Sequence, residues 1–503
     1  MLTADAVRRG LRFFLAGRAA SGLLGLVWLV VLVRALSAEQ IGLFFGFMAL
    51  FEISQLGSSA GVYSYAQRFI ASDWMLLGRA PLRRRLLAIF AFRTLTLGLA
   101  AGVAALAWSW VPSLLSWPEA HPTAVLFAAI LMLEGTARFV DTVFECTINQ
   151  GVSQSLGVLR NVLRIAVVSW ALASGVKLDA NWVLELEAVL ASAYLLVALF
   201  WIARLLGDVP VHRPLVDRAS LLQAERLRFS TQGYASLALG QVFGWDTVKL
   251  IVSHHLGPAT LGVLAFAQSL ADVVRRYMPA TLLQGFLRSV LTARAAEDNR
   301  LQRTLFWARL LARLNAVYLA LLASWLLVFG DWALRSFTAR PGFGEAAPFV
   351  AAFIAIYMMG ALRQMATLVA HVQTQNRAVL EATFAIVLGP PLAWAFVPAW
   401  GAAAAVATLA VQEAAYTGVL FWRLRLPFSA VCGRWQSWAA VLGAAAVAAL
   451  VSSWVSHLLG GTQGGLAGSV TYLLLFGGLL WRLAPWDADE PAALLRALVR
   501  RPV

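Results

Sequence analysis

Charge is what this sequence has least of. Only 13% of its 503 residues are Asp, Glu, Lys or Arg, while 60% are hydrophobic and the mean hydropathy is +0.75. Soluble globular domains carry about 25% charged and about 45–50% apolar residues. That deficit excludes a soluble enzyme, a disordered chain and a nucleic-acid binder. Lysine is nearly missing: Lys177 and Lys249 are the only two, so the net charge of +15 rests on arginine. Neither lysine stands in a Gly-rich Lys-Ser/Thr loop, which excludes a phosphate-cradling ATPase motif. Cysteine is scarce too, and Cys146 and Cys432 lie too far apart to suggest a disulfide framework. They read as inert packing residues. His254-His255 has no companion at ligand spacing, so no metal site and no cofactor is expected. The N-terminal stretch Met1 to Arg12 is polar and is not followed by a small-residue cleavage site, so the first helix is expected to stay.

What the chain does have is long apolar runs. A bilayer core takes about 20 apolar residues per helix. Fourteen stretches qualify, near 11–35, 40–64, 84–111, 122–146, 157–176, 181–205, 229–253, 259–291, 304–330, 347–371, 378–398, 400–422, 436–458 and 466–483. The expected fold is an all-α polytopic membrane protein. Twenty-five arginines fall in the connections of one side, against Arg34, Lys177, Arg335 and Arg340 on the other. Positive loops remain in the cytoplasm. Both termini are therefore expected inside, at the cell inner membrane.

The chain also repeats itself. A shift of 220 residues, without a gap, lays Gly42 on Gly262, Glu52 on Asp272, Arg68 on Arg288, Arg83 on Arg303 and Arg93 on Arg313. Apolar matches come cheaply in such a composition, so the charged ones carry the inference. Six spans per repeat is an even number, which gives both halves the same orientation. The organisation expected is a six-helix lobe over 1–206, a cytoplasmic linker over 207–228, a second six-helix lobe over 229–425, and two further helices with a tail over 426–503. Paired lobes of this kind suit alternating access to a site at their interface. No loop is long enough for a folded domain outside the membrane.

Ionisable groups inside the spans are the candidate site. Each costs about 2.5–3.5 kcal/mol at a helix centre, so they line a wet cavity or pair with one another. In the fourth span Glu134, Arg138, Asp141 and Glu145 recur at i, i+4, i+7 and i+11, which places them within about 60° on one helix face. This stripe is either a self-neutralising ladder or a cavity wall. Arg18, Arg93, Arg164 and Arg313 lie about two turns inside, where they either snorkel or face a cavity; Arg93 and Arg313 are repeat mates. Asp246 and Lys249 form a buried pair or a coupling-ion site. Glu52 and Asp272 are further coupling candidates, with Arg275 and Arg276 within reach of Asp272. Arg363, Gln364, Thr367 and His371 give the tenth span a polar side. An arginine-lined cavity suits an anionic, phosphate-bearing cargo, because the planar guanidinium grips phosphate bidentately. Acids beside it can relay protons.

The segment Arg34-Ala-Leu-Ser-Ala-Glu-Gln-Ile-Gly-Leu43, the second span running to Gly57-Ser-Ser-Ala-Gly61 and Arg68, and the seventh-span opening from Phe229 to Gly262 resemble the polysaccharide transporter branch of the multidrug/oligosaccharidyl-lipid/polysaccharide flippase superfamily. The resemblance covers nearly the whole chain, by spacing more than by strict motif. It implies a non-enzymatic flippase for undecaprenyl-diphosphate-linked sugars, working beside glycosyltransferases and a polysaccharide polymerase, with membrane lipids around it. It also implies cavity cations at Arg18, Arg93 and Arg138. A major-facilitator transporter lacks support, because Arg79-Ala-Pro-Leu-Arg-Arg-Arg85 is merely basic. A polyprenyl-dependent glycosyltransferase or a polymerase would need an acidic or long outer loop, and the longest outer one spans only about Asp331 to Pro348. An ion-coupled exporter of drugs or other small molecules is the alternative.

Overall fold

Where the helices begin is set by short polar side chains. Ser37 accepts a hydrogen bond from the Gln40 amide at 3.3 Å, Thr123 from Leu126 at 3.2 Å, and Asp179 from Trp182 at 2.8 Å. Each caps otherwise orphaned N–H groups at the start of an apolar run. The computed structural model describes residues 4–70, 73–74, 77–118, 121–147, 149–209, 211, 222–281, 300–373 and 375–483. All elements among them are helical. The long helices are α1 (Ala4–Ala35), α2 (Ala38–Gly57), α3 (Arg79–Ala107), α4 (Ala124–Cys146), α5 (Gln150–Ala173), α6 (Ala180–Gly207), α7 (Leu222–Val242) and α8 (Trp245–Arg276). There follow α9 (Arg300–Thr338), α10 (Ala347–Val372), the short α11 (Asn376–Thr383), α12 (Gly389–Arg423), α13 (Trp435–Leu459) and α14 (Gly461–Leu483).

The protein is a multi-pass membrane protein of all-α class. Among the described residues, ten helical segments are long and apolar enough to cross a bilayer. Fourteen stretches were expected, and the difference has physical causes. Two of the ten run 47 residues each, Ser230–Arg276 and Arg377–Arg423, and both contain a non-helical glycine, Gly257 and Gly401. The helices α1 and α4 fall outside the ten; α4 holds the charged stripe, and of α1 the described apolar run is Ala19–Ala35.

The 220-residue offset reappears in the element order. The break between α1 and α2, at Leu36–Ser37, maps onto the kink at Gly257, and the start of α6 maps beside the kink at Gly401. Of the repeat mates, Arg288 lies outside the described residues, as does half of the expected 207–228 linker.

The chain forms two compact units. The first comprises Met1–Ala265 with Gly389–Ala405, and the second Phe266–Leu388 with Val406–Val503, so the division falls inside α8 and α12. The first unit is centred on Tyr63, Leu86, Phe139, Val140, Phe144 and Ile202. Among the described residues, the second has a core around Leu311, Met365, Leu368 and Leu420 and another around Phe329, Ala448, Tyr472 and Phe476. Within the first unit α2 and α8 touch through backbone. A β-carbon on Gly42 would overlap the carbonyl oxygen of Pro258, and one on Gly262 would overlap that of Ala38. Ala38 and Pro258 are themselves 220 apart, as are the two glycines. The contact is thus the same contact twice, related by the repeat, and it requires the absence of a side chain at both glycines.

Candidate functional site

The charged stripe of α4 does not stand alone. Arg138 bridges two helices: its Nη1 lies 2.7 Å from Glu52 Oε1 on α2, and its Nε 3.2 Å from Glu134 Oε1 one turn earlier. Glu134 in turn takes Arg160 of α5 at 2.6 Å. Arg160 reaches Glu187 of α6 at 2.9 Å, and Glu187 also holds Arg164 at 2.7 Å. The result is one alternating chain, Glu52, Arg138, Glu134, Arg160, Glu187, Arg164, built from four helices of the first unit. Three acids face three bases, so the chain carries no formal net charge. Flat cations stack on aromatic faces at two points, Arg138 on Phe51 (4.8 Å) and Arg164 on Trp28 (4.9 Å).

Exposure differs along the chain. Arg138 and Glu52 keep 33% and 27% of their side-chain surface accessible, against 9% for Glu187 and 17% for Arg164 at the other end. Asp141, one turn beyond Arg138, meets no cation in this set; it accepts from Ser153 Oγ at 2.7 Å and from the Tyr194 hydroxyl. Glu145, the last member of the stripe, is exposed. Sequence reasoning placed Arg160 among the loop arginines; it sits inside the bundle instead, because two carboxylates are waiting for it there. Glu187 and Tyr194 were missed altogether. The Arg160/Arg164 pair at i, i+4 was the one available sign that α5 carries a polar face matching that of α4.

Arg93 is wholly buried. Its guanidinium donates to the Gln55 carbonyl at 2.8 Å and to Ser58 Oγ at 3.2 Å, and lies over the Tyr63 ring at 5.4 Å. Gln55 closes the last turn of α2 and Ser58 is its C-cap. The carbonyl end of a helix is its negative pole, so a cation is favourable there. Its repeat mate Arg313 is buried on α9, with its guanidinium against Gly433. The side chains of Arg18 and His371 lie outside the described residues.

In the second unit the groups again come in pairs. Arg363 meets Glu413 at 3.1 Å and stacks on Tyr416. Asp272 accepts from Arg275 at 3.1 Å and from the Tyr357 hydroxyl at 2.7 Å. In the first unit, Asp246 and Lys249 are 2.9 Å apart, and Gln241 donates to the same carboxylate. Lastly, Asp73, before α3, is buried between Arg85 (2.7 Å) and Arg226 (3.1 Å), the latter also bonded to Tyr65. Among the described residues no cluster of His, Cys, Asp and Glu has metal-ligand geometry.

Three solved structures share this fold. A structure titled lipid II flippase MurJ in an inward closed conformation aligns with a TM-score of 0.66 at 12% identity, covering 97% of this chain and 99% of that one. The eukaryotic MATE transporter AtDTX14 aligns at 0.56 and 13%, covering 87% and 98%. An inward-facing multidrug resistance MATE family transporter of the MOP superfamily aligns at 0.52 and 15%, covering 82% and 95%. No family model matches the chain, and no curated protein matches it.

Proposed function

We propose that the chain is an alternating-access flippase that carries an undecaprenyl-diphosphate-linked oligosaccharide across the inner membrane for surface polysaccharide biosynthesis. Glycosyltransferases would supply its cargo and a polymerase would consume it. The observation that carries this reading is the buried chain of charges, with Arg138 its most accessible cation. Six ionisable groups inside apolar helices are a large burden unless they meet water or cargo. Their most accessible cation is shared between two carboxylates, and a diphosphate, like a carboxylate, offers the planar guanidinium a pair of oxygens for bidentate contact. Cargo phosphate thus competes with Glu52 for one guanidinium while Glu134 continues to position it. Arg93, Asp141, Arg313 and Arg363 join this reading as further polar groups of the transport route, with Glu52, Asp246, Lys249 and Asp272 as ion-coupling groups. The quasi-symmetric Gly42/Gly262 contact also supports it, because two repeats meeting through bare backbone can re-pack with little side-chain rearrangement. The shared fold with a lipid II flippase agrees with a lipid-linked cargo.

The test is a proteoliposome assay of headgroup accessibility, using a lipid-linked diphosphate oligosaccharide. Arg138→Gln is expected to slow translocation by about tenfold or more, the loss of about 1.4 kcal/mol or more of binding to the translocating state. Equal rates in the wild type and Arg138→Gln would remove Arg138 from the route. Two MATE structures share the fold, which keeps an ion-coupled small-molecule exporter as the second reading. Gradient-driven drug efflux without headgroup translocation would establish that reading instead.

A further inference from the structure

Nearly every inward arginine described above has a carboxylate. One region departs from that rule. In the second unit, a recess of about 680 Å³ opens where the Phe428–Cys432 helical turn meets the start of α13, against α9. Among the described residues its lining includes Arg309 and Arg434 and no Asp or Glu. Arg309 donates through Nε to the Ala430 carbonyl at 3.3 Å and pairs with no carboxylate among the described residues. Arg434 is exposed and takes the N-cap position of α13 without a side-chain hydrogen bond to the helix amides. Gly433 sits between them at φ +70°, and the backbone there packs directly on the Arg309 and Arg313 side chains, which are one turn apart on α9. Any other residue at Gly433 would be strained and would fill the space the two arginines occupy. Positive potential thus converges from Arg309, Arg434 and the amide end of a 25-residue helix.

The walls are of the opposite character. Phe428 and Trp435 are exposed at the rim, and Trp438 is fixed by a 2.7 Å hydrogen bond from its indole N–H to the Cys432 carbonyl. The recess lies in the connection between two apolar spans, on the side of the chain where arginines accumulate. Tryptophan at that depth marks the headgroup level of a bilayer. A free sugar phosphate would gain little from the apolar rim. A phosphodiester attached to acyl chains gains from both parts.

We propose that this recess is a binding site for the headgroup phosphate of an anionic phospholipid, with Arg309 and Arg434 on the phosphate and Phe428 and Trp435 against the upper acyl chain. The assignment does not depend on the transported cargo. The experiment is native mass spectrometry of the full chain in neutral detergent, with phosphatidylglycerol, phosphatidylcholine or inorganic phosphate added. The wild type is expected to retain phosphatidylglycerol in preference to phosphatidylcholine. Arg309→Gln/Arg434→Gln is expected to weaken that retention about tenfold, and the exposed single variant Arg434→Gln to weaken it less, with the thermal unfolding midpoint of apo-protein unchanged. Arg83→Gln, an exposed arginine elsewhere, is the control and should retain lipid as the wild type does. Equal retention of both lipids, or undiminished phosphatidylglycerol on the double variant, would overturn the site. Displacement of the lipid by millimolar inorganic phosphate would overturn the lipid assignment, because it would show that the apolar rim contributes nothing.

Discussion

At the scale of single residues, the molecule treats its charges as a closed account. Glu187 is the clearest case, since it alone joins Arg160 and Arg164. Glu187→Gln would take from Arg164 its carboxylate and leave Arg160 with Glu134, in a low-dielectric interior. Breaking one side of a buried pair costs about 3–5 kcal/mol. The expected outcome is a loss of that order in detergent unfolding assays, whereas Arg335→Gln, whose pair with Asp331 is exposed, should change stability by about 0–1 kcal/mol. Cys432 supplies a pH effect. Burial in a connection outside the spans pushes its thiol up to about 12, from about 8.5 in an unfolded chain. A raised acid favours the neutral, folded form, so its contribution is fully present below about pH 8.5 and disappears as pH climbs towards 12. Maleimide labelling at pH 8 should therefore leave Cys432 untouched in the folded protein, and Cys432→Ala should flatten the loss of stability above that pH.

At the scale of elements, backbone contact governs. The meeting of α2 with α8 has no room for a methyl group at Gly42 or Gly262. Overpacking of this kind costs about 1–3 kcal/mol. Gly42→Ala is expected to lower the thermal midpoint and to impair transport together, whereas Gly25→Ala on α1, where nothing lies within 4 Å, should leave both unchanged. A Gly42→Ala variant with normal stability and transport would show that α2 and α8 have slack the structure does not display. The kinks at Gly257 and Gly401 belong to the same scale. They lie within two 47-residue apolar helical segments, so hydropathy alone counts two spans where the geometry has a bend.

At the scale of the whole molecule, the arginine bias makes a prediction about orientation. Reporter fusions at the N-terminus and after Leu483 should both be fluorescent as a green protein and both inactive as alkaline phosphatase, because arginine-rich connections stay in the cytoplasm. Opposite behaviour of the two ends would require an odd number of spans.

The sequence alone determined the membrane class, the helical periodicity, the repeat and the charged stripe of α4. Composition and spacing are local properties, and apolar runs of about 20 residues satisfy their backbone in a bilayer as helices. The partners of the stripe were a different matter. Glu134 and Arg138 are neighbours on one helix turn, so their pairing was legible; Glu52, Arg160 and Glu187 come from three other helices. Whether a buried charge meets an opposite charge or a cavity depends on which helix faces it, and only tertiary packing decides that. The same reason explains Arg93, whose sequence resembles that of any intramembrane cation, and whose actual neighbours are the carbonyl end of α2 and the ring of Tyr63.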